Sequence, residues 1–352
     1  MDNTENFEEI MIDNQEEIQK KEADFFSKKF YYSYSSLNKL LWNPKVFYQM
    51  YVLGVREERT EAHLIQGKLI HTLLLEPENL LRDFVLSPTT LPTGNMKTVV
   101  DRVFNKYKGN QEVYDSMGKT GFQDFSSEIL DVMREINYHQ ALKTDQQRID
   151  KVVTSDTQNY WTFLKDRGQR TLIDQATLSF CKNAVELIME NDSILELLGQ
   201  NVTEFDNVEV KNELFMQVDL KGKSFGLKGI IDNLVIKHDE KMILINDIKT
   251  TSKDLKDFPE SVEYYDYWMQ AVIYSIMVVN WLCKDHIDNG YDLQFNFVVI
   301  DRAFQTYAFT VSEDKMKEWF ERFEEMTMKA QWHFDNKDYS LPYEFANGLV
   351  SL

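Results

Sequence analysis

Two acids and a lysine stand at the ends of two predicted strands, where apolar side chains would be expected to pack. Residues 229–251 read GIIDNLVIKHDEKMILINDIKTT, two β-branched runs around a short polar turn at 238–240. Residues two apart share one face of a strand, so Asp247 and Lys249 point the same way while Ile248 points to the other side. If the turn pairs the two strands as a hairpin, Asp232 comes level with Asp247.

The carboxylates of Asp232 and Asp247, placed side by side in this way, repel each other unless a cation lies between them. Carboxylate oxygens, with water completing the shell, suit Mg²⁺ or Mn²⁺. Beside such an ion, Lys249 could orient an attacking water or offset the charge that builds up on a phosphate. The alternative is an exposed strand end with an ordinary ion pair, because the pattern Asp…Asp-x-Lys is short and surface charges are common.

The elements that must position these residues alternate between helical and strand periods. This alternation predicts an α/β (α+β) fold with a central mixed sheet flanked by helices. The predicted helices cover 37–51, 61–77, 169–198, 263–283 and 313–332, and the predicted strands cover 208–219, 229–237, 241–250, 293–300 and 305–311. The helix at 263–283 is mostly apolar, so we expect it to pack on the sheet.

Composition and charge limit the possible classes of protein. A chain of 352 residues that is 43 % hydrophobic can bury a large core, and two cysteines are too few for a four-cysteine metal site. The net charge of −19 argues against coating nucleic acid by bulk electrostatics. Residues 1–28 are predicted to be an acidic, disordered tail. Residues 29–352 are predicted to be one domain, with 87–170 as a polar, partly helical insertion of unknown role.

No membrane segment or targeting leader is evident in the sequence. It has no run of eighteen apolar residues and no basic stretch followed by an apolar one. We therefore expect a soluble cytoplasmic protein that does not associate with membranes.

The order of the motifs resembles the PD-(D/E)xK nucleases. Asp232 is followed by Asp247-Ile248-Lys249 and then by Gln270-Ala-Val-Ile-Tyr274, and upstream GKLIH, ending at His71, is similar to the G-x-x-x-H element of the RecB-type branch. The flanks SYSSLNKLLWNPKVFY, GKLIHTLLLEPENLLRDF, DIKTTSKDL and YYDYWMQAVIY resemble the RecE (exonuclease VIII) group of phage recombination exonucleases. The proline of the family motif is absent, since Ile231 precedes Asp232.

This resemblance implies a restriction-endonuclease-like core and a role for each matching residue. The implied ligands of one or two Mg²⁺ or Mn²⁺ ions are His71, Asp232, Asp247 and the carbonyl oxygen of Ile248. Lys249 would position the attacking water, and Gln270 and Tyr274 would steady the lysine and the DNA backbone. Glu213 would be an additional acid near a second metal ion, or else an exposed strand acid.

Each matching residue also has a structural interpretation. His71 could be a hydrogen-bonded core histidine, and Gln270 and Tyr274 could form a polar stripe on an apolar helix. Four further residues are candidates for binding DNA or a 5′-phosphate: Ser35, Ser36, Arg56 and Arg59. The serines could equally be helix caps, and the arginines could be solvated charges.

The function that the resemblance implies is metal-dependent hydrolysis of linear double-stranded DNA from 5′ to 3′. The products would carry a 5′-phosphate and a 3′-hydroxyl, and the exposed 3′ strand would pass to a single-strand annealing protein. The resemblance further implies a ring-shaped homo-oligomer in a bacterial or phage-infected cell. The alternatives are a RecB-type repair nuclease or endonuclease of the same fold, and a catalytically silent DNA-binding module.

Overall fold

The computed structural model describes residues 5–55, 61–88, 90–203, 206–282 and 286–350, with side chains from residue 15 onward. The chain divides into two compact units, one formed by Met1–Pro77 with Cys181–Leu352 and the other by Glu78–Phe180. In the described residues, no helix is long and apolar enough to cross a membrane.

The described strands are β1 (Tyr31–Tyr32), β2 (Phe84–Leu86), β3 (Thr171–Ile173), β4 (Val208–Asp219), β5 (Gly226–Lys237), β6 (Met242–Thr250), β7 (Asp292–Ile300) and β8 (Thr306–Thr310). The described α-helices are α1 (Glu5–Ser27), α2 (Tyr34–Trp42), α3 (Pro44–Phe47), α4 (Ala62–Leu75), α5 (Leu80–Asp83), α6 (Gly94–Gly109), α7 (Gln111–Ser116), α8 (Ser126–Glu135), α9 (Asp145–Val152), α10 (Ser155–Arg167), α11 (Gln175–Met189), α12 (Asp192–Leu197), α13 (Phe258–Tyr264), α14 (Tyr267–Leu282), α15 (Glu313–Asn336) and α16 (Tyr343–Ala346). A π-helical turn, Tyr48–Val52, follows α3.

The first unit is built on a six-stranded mixed sheet, which confirms the predicted fold class. Strand β5 is antiparallel to β4 along its whole length and parallel to the short β1 at its start. Strand β6 is antiparallel to β5 and parallel to β7, and β8 is antiparallel to β7. Apolar residues occupy both faces of β5 and β6, because helices cover the sheet on both sides.

The hairpin of β5 and β6 opens at one end. Its last paired residues are Asn233 and Asn246, and beyond them β6 continues beside β7 alone. Asp232 and Asp247 are the next residue on each strand, so they lie where the two strands separate. The predicted alignment of Asp232 with Asp247 therefore agrees with the observed register.

Helix α14 packs closely on β5 because Gly229 has no side chain. A Cβ atom at Gly229 would lie 2.7 Å from Cε1 of Tyr274 and 3.0 Å from the methyl carbon of Met277. The apolar face of α14 is almost entirely buried, as its composition predicts. The helix thereby brings Gln270 and Tyr274 onto the sheet near Asp247.

The N-terminal segment differs from the prediction of a disordered tail. It is helical from Glu5 to Ser27, and its last turn carries Phe25 and Phe26, which pack against the core of the first unit. Tyr48 also donates a hydrogen bond to Glu22 at 2.7 Å. Two apolar anchors at one end of an otherwise acidic segment are enough to fix that end to the core.

Residues 169–198 and 87–170 also differ from their predicted forms. The single helix predicted at 169–198 is interrupted, because Asp174 caps α11 and Asn191 caps α12. Residues 87–170, predicted to be polar and only partly helical, contain the five helices α6 to α10. The second unit has its own core, in which Trp161 packs among Phe104, Phe122 and Phe125.

Candidate active site

The backbone N–H and carbonyl groups of Ile248 hold the opening between β5 and β6. Its N–H donates a hydrogen bond of 2.7 Å to Oδ2 of Asp232, and its carbonyl oxygen lies 2.9 Å from Nε2 of His71. The backbone of this one residue therefore fixes an acid from β5 and an imidazole from α4 beside β6. The carbonyl named as a ligand in the sequence analysis is at the site, and it accepts the hydrogen bond of the imidazole.

His71 reaches this position because α4 lies close to β6. A Cβ atom at Gly67, one turn earlier, would lie 3.1 Å from Oγ1 of Thr250. With Nε2 directed at the Ile248 carbonyl, Nδ1 lies 3.6 Å from Oδ2 of Asp232 and 3.7 Å from Oε1 of Glu213. Burial lowers the pKa of His71, but the two carboxylates outweigh burial and raise it to about 9.

Glu213 joins the site through an unusual backbone conformation. It lies opposite Asp232, between the register pairs Asn212–Asn233 and Leu214–Ile231, and its φ is +47°. A residue with a Cβ atom rarely adopts this left-handed conformation, and doing so costs about 1 to 3 kcal/mol. The structure thus places Glu213 directly beside His71 and Asp232.

A second chain of contacts links Asp247 to α14. Lys249 lies 2.6 Å from Oδ2 of Asp247 and donates a hydrogen bond of 3.0 Å to Oε1 of Gln270. The amide nitrogen of Gln270 lies 2.8 Å from Oδ1 of Asp247 and 2.9 Å from the hydroxyl of Tyr274. Gln270 therefore holds both members of the ion pair. The predicted spacing of four residues puts Gln270 and Tyr274 on one face of the helix.

Burial and mutual repulsion shape the charges of this group. Burial raises the pKa of Asp247, Lys249 lowers it and Asp232 raises it, with a net value of about 6. Burial lowers the pKa of Lys249, but Asp247 and Asp232 outweigh that effect and raise it. Lys249 therefore remains a cation at neutral pH, and it is attracted to both Asp247 and Asp232.

The donor set fits a hard divalent cation. The ligand atoms of His71, Glu213 and Asp232 all lie within 4.8 Å of one another. Adjacent ligands about 2.1 Å from an octahedral ion lie about 3 Å apart, so the distances of 3.6 and 3.7 Å from Nδ1 of His71 to the two carboxylates need shorten only slightly around such an ion. Oδ2 of Asp247 is buried and, apart from the ion pair with Lys249, has no hydrogen-bond partner among the described residues.

The structure places the residues proposed to bind DNA or a 5′-phosphate in different environments. Ser35 lines a cavity of about 390 Å³ that also contains Gln270 and Tyr274. Ser36 does not face this cavity, because it is fully buried and forms a capping box with Ser33 at the start of α2. Arg56 and Arg59 lie outside the described residues.

Sequence reasoning missed three residues near the site. Ser33 and Lys228 line the same cavity as Ser35, and the ring of Tyr267 lies beneath Lys249, 4.9 Å from Nζ. Lys228 lies on β5, four residues before Asp232, and no spacing in the sequence singled it out.

Comparison with known proteins gives one family match. Residues 137–340, more than half of the chain, match the model of the PD-(D/E)XK nuclease superfamily, and this range contains every site residue named above from Glu213 to Tyr274. None of the curated proteins matches the sequence.

Solved structures give more distant similarities. A protein from Eubacterium rectale that is provisionally described as an exonuclease shares 12 % identity with a TM-score of 0.43, over 87 % of this chain and 82 % of that chain. The protein SSO0001 shares 18 % identity with a TM-score of 0.23, over 44 % of this chain and 67 % of that chain. By the family match over more than half of its length, the chain belongs to the PD-(D/E)XK nuclease superfamily.

Proposed function

We propose that this chain is a divalent-metal-dependent deoxyribonuclease that degrades linear double-stranded DNA from its 5′ ends. The observation that carries the proposal is the convergence of two groups at one opening in the sheet. His71, Glu213 and Asp232 form a cluster with the spacing of metal ligands, and the buried pair of Asp247 and Lys249 lies beside it.

The residues have separate tasks in this proposal. Glu213, Asp232 and His71 would hold Mg²⁺ or Mn²⁺, and Asp247 would complete the set from β6. A bound ion of this kind supplies Lewis acidity toward the phosphate and lowers the pKa of a bound water. Lys249 donates hydrogen bonds and positive charge where the attacking water and the phosphate oxygens would meet.

The hydrogen bonds around Lys249 give its ammonium group a fixed direction. Gln270 accepts one hydrogen bond from it, Asp247 pairs with it, and the ring of Tyr267 lies below it. A preorganised donor costs little reorganisation when charge develops on the phosphate. Rigid strands and a packed helix are the elements best able to provide this precision.

The cavity beside Gln270 and Tyr274 supports binding of a DNA end. Ser33 and Ser35 stand at the start of α2, a helix N-terminus that favours anions, and Lys228 adds a cation from β5. We propose that this cavity receives the 5′-phosphate of the strand that is cut. The 5′ to 3′ polarity, the assembly into a ring of identical chains and an annealing partner rest on the resemblance of the flanks to the RecE group.

Exonuclease and endonuclease action can be distinguished by comparing linear with circular DNA as the substrate. Linear duplex and a covalently closed circle of the same sequence are incubated with enzyme and Mg²⁺, and the linear duplex is used with and without a 5′-phosphate. We expect the enzyme to degrade the linear duplex and not the circle, and to degrade it faster when it carries a 5′-phosphate. We also expect 3′ single strands as intermediates. Cleavage of the circle at an equal rate would instead establish an endonuclease.

A pair of lysine variants tests the role of the cavity. Lys228→Ala should reduce the advantage of a 5′-phosphorylated end, because it removes the only cation that lines the cavity in the described residues. Lys221→Ala, an exposed lysine in the turn before β5, is the matched control and should keep the advantage. An advantage that Lys228→Ala leaves intact would remove the cavity from the proposal.

A further inference from the structure

A row of polar side chains crosses the sheet one residue away from the site acids. It contains one residue from each of five neighbouring strands, in direct register: Asn212 on β4, Asn233 on β5, Asn246 on β6, Asn296 on β7 and Thr310 on β8. Successive members are joined by side-chain hydrogen bonds of 2.8, 2.7, 2.9 and 2.8 Å. We call these five residues the amide row.

The hydrogen bonds of the amide row all run in one direction. Each amide donates to the oxygen of the member nearer β4, from Asn296 through Asn246 and Asn233 to Asn212. Amides connected in this way polarise one another, so each bond strengthens the next. At the end of the row, Asn212 donates to the carbonyl oxygen of Leu75 at 2.8 Å.

The amide row also holds the ends of two helices. Leu75 is the last residue of α4, and the carbonyls of Leu197 and Leu198, at the end of α12, accept hydrogen bonds from Asn246 and Asn233 at 2.8 and 3.1 Å. Carbonyls at a helix C-terminus lack intrahelical partners and carry the negative end of the helix dipole. The row therefore satisfies these carbonyls and fixes the helix ends to particular strands.

Each acid of the site is the chain neighbour of one amide in the row. The pairs are Asn212–Glu213, Asp232–Asn233 and Asn246–Asp247. Side chains alternate between the faces of a strand, so the amides lie on the side of α12 while Asp247 contacts α14 on the other. His71 lies one helical turn before Leu75, so the row constrains the imidazole through α4 as well.

Burial makes the amide row costly unless every member is satisfied. Asn233, Asn246 and Asn296 are completely buried. Apolar side chains would avoid the desolvation of three amides, but on strands that are apolar on both faces they would distinguish one register from another less sharply. A one-residue slip of β5 or β6 would break the row and turn the site acids to the wrong face, so the row specifies the register that the site needs.

We propose that Asn212, Asn233 and Asn246 are positioning residues, which hold Glu213, Asp232, Asp247 and His71 at the spacing of metal ligands. This inference rests on the proposed function only in that the acid cluster binds a divalent cation. DNA cleavage is not part of its test.

The test compares two members of the row that are equally buried. Asn246→Leu removes an amide next to Asp247, whereas Asn296→Leu removes an amide whose chain neighbours are Phe295 and Phe297. Mn²⁺ affinity is measured by calorimetry and stability by urea unfolding in EDTA. Both variants should be less stable. Asn246→Leu should bind Mn²⁺ about 10- to 100-fold more weakly, as expected for residues that orient metal ligands. Asn296→Leu removes only one hydrogen bond to Asn246 and should weaken Mn²⁺ binding much less.

A second variant covers the case in which Asn246→Leu does not fold. Asn212 is only partly buried at the end of the row, so Asn212→Leu should fold and still release Leu75 and the end of α4. It should also weaken Mn²⁺ binding.

Several results would contradict the inference. Unchanged Mn²⁺ affinity in the folded variants, or an equal loss in Asn296→Leu, would show that the row only stabilises the sheet. Wild-type protein that binds no Mn²⁺ would also overturn it. Wild-type protein that binds Mn²⁺ but cuts no DNA would contradict the proposed function and leave this inference standing.

Discussion

The contacts of His71 are more typical of a metal ligand than of a buried structural histidine. Nε2 is directed at the carbonyl of Ile248, while Nδ1 lies 3.6 and 3.7 Å from two carboxylates, too far for hydrogen bonds. His333 offers a contrast within the same unit. Its Nδ1 lies 2.6 Å from the carbonyl oxygen of Asp338, it is completely buried, and burial lowers its pKa.

These two histidines provide a matched test of the ligand role. His71→Ala should weaken Mn²⁺ binding by at least about tenfold, and it should also lower the free energy of unfolding in EDTA at neutral pH, because the imidazole no longer offsets the charges of Asp232 and Glu213. His333→Ala should leave Mn²⁺ binding unchanged and lower the free energy of unfolding by about 1 to 3 kcal/mol, because it leaves a cavity. Calorimetry measures the Mn²⁺ affinity, and urea unfolding measures the free energy of unfolding. Unchanged Mn²⁺ affinity together with a lower free energy of unfolding in His71→Ala would make His71 a core histidine.

Glu213 is expected to lower the stability of the folded protein and to strengthen metal binding. Its left-handed backbone disfavours the folded protein. Glu213→Asn, a residue that tolerates this conformation, should raise the free energy of unfolding in EDTA by about 1 kcal/mol and weaken Mn²⁺ binding. A variant that is less stable in EDTA, or that binds Mn²⁺ as well as wild type, would contradict this account.

Part of the site could be predicted from residue types and spacing. The period of two in a strand and the spacing of four in a helix are local rules, and they are sufficient to group Asp247 with Lys249 and Gln270 with Tyr274. The left-handed φ of Glu213 is set by strand pairing, and the buried state of Ser36 is set by packing against the core. Neither is encoded in a pattern that a single sequence displays.

At the scale of elements, the site depends on how closely α14 approaches β5. The ring of Tyr274 occupies the space where Gly229 lacks a side chain, and Tyr274 in turn contacts Gln270. Backbone contact of this kind leaves no freedom for the helix to shift without moving Gln270 away from Asp247 and Lys249.

Gly229→Ala should therefore disturb both stability and activity. The added methyl group would overlap the ring of Tyr274, and we expect a loss of about 1 to 3 kcal/mol in the free energy of unfolding with a lower cleavage rate. Gly109→Ala at the end of α6 is the control, because a Cβ atom there meets nothing within 4 Å. Wild-type stability and cleavage in Gly229→Ala would contradict the proposed packing role.

Five of the six strands of the sheet were predicted, whereas β1 and most of the helices of 87–170 were not. Continuous β-branched runs identified β5 and β6, and the turn at 238–240 fixed their pairing. In α6 the buried residues Val99, Val103 and Tyr107 do recur at helical spacing, whereas helices such as α7 and α9 are too short for a clear period. Their packing around Trp161 follows from long-range contacts among aromatic residues, which no local pattern reports.

For the whole molecule, the net charge of −19 makes DNA binding dependent on cations. Carboxylates at the site repel phosphate until a divalent ion neutralises them. We expect Lys249→Ala, used to prevent cleavage, to bind duplex DNA at least about tenfold more tightly in Mg²⁺ than in EDTA at equal ionic strength. Gel-shift titration measures the difference, and equal affinity in both solutions would contradict this prediction.

The most direct test of the central claim is hydrolysis of linear duplex DNA by wild type and by Lys249→Ala, each with Mg²⁺ or Mn²⁺ and with EDTA. Wild type with the metal ion should release products with 5′-phosphates, and EDTA should stop the reaction. Lys249→Ala should still bind the metal ion but cut at least about 100-fold more slowly, since loss of one electrostatic stabiliser costs about 3 kcal/mol. No cleavage by wild type with either ion, or equal cleavage by the variant, would contradict the account.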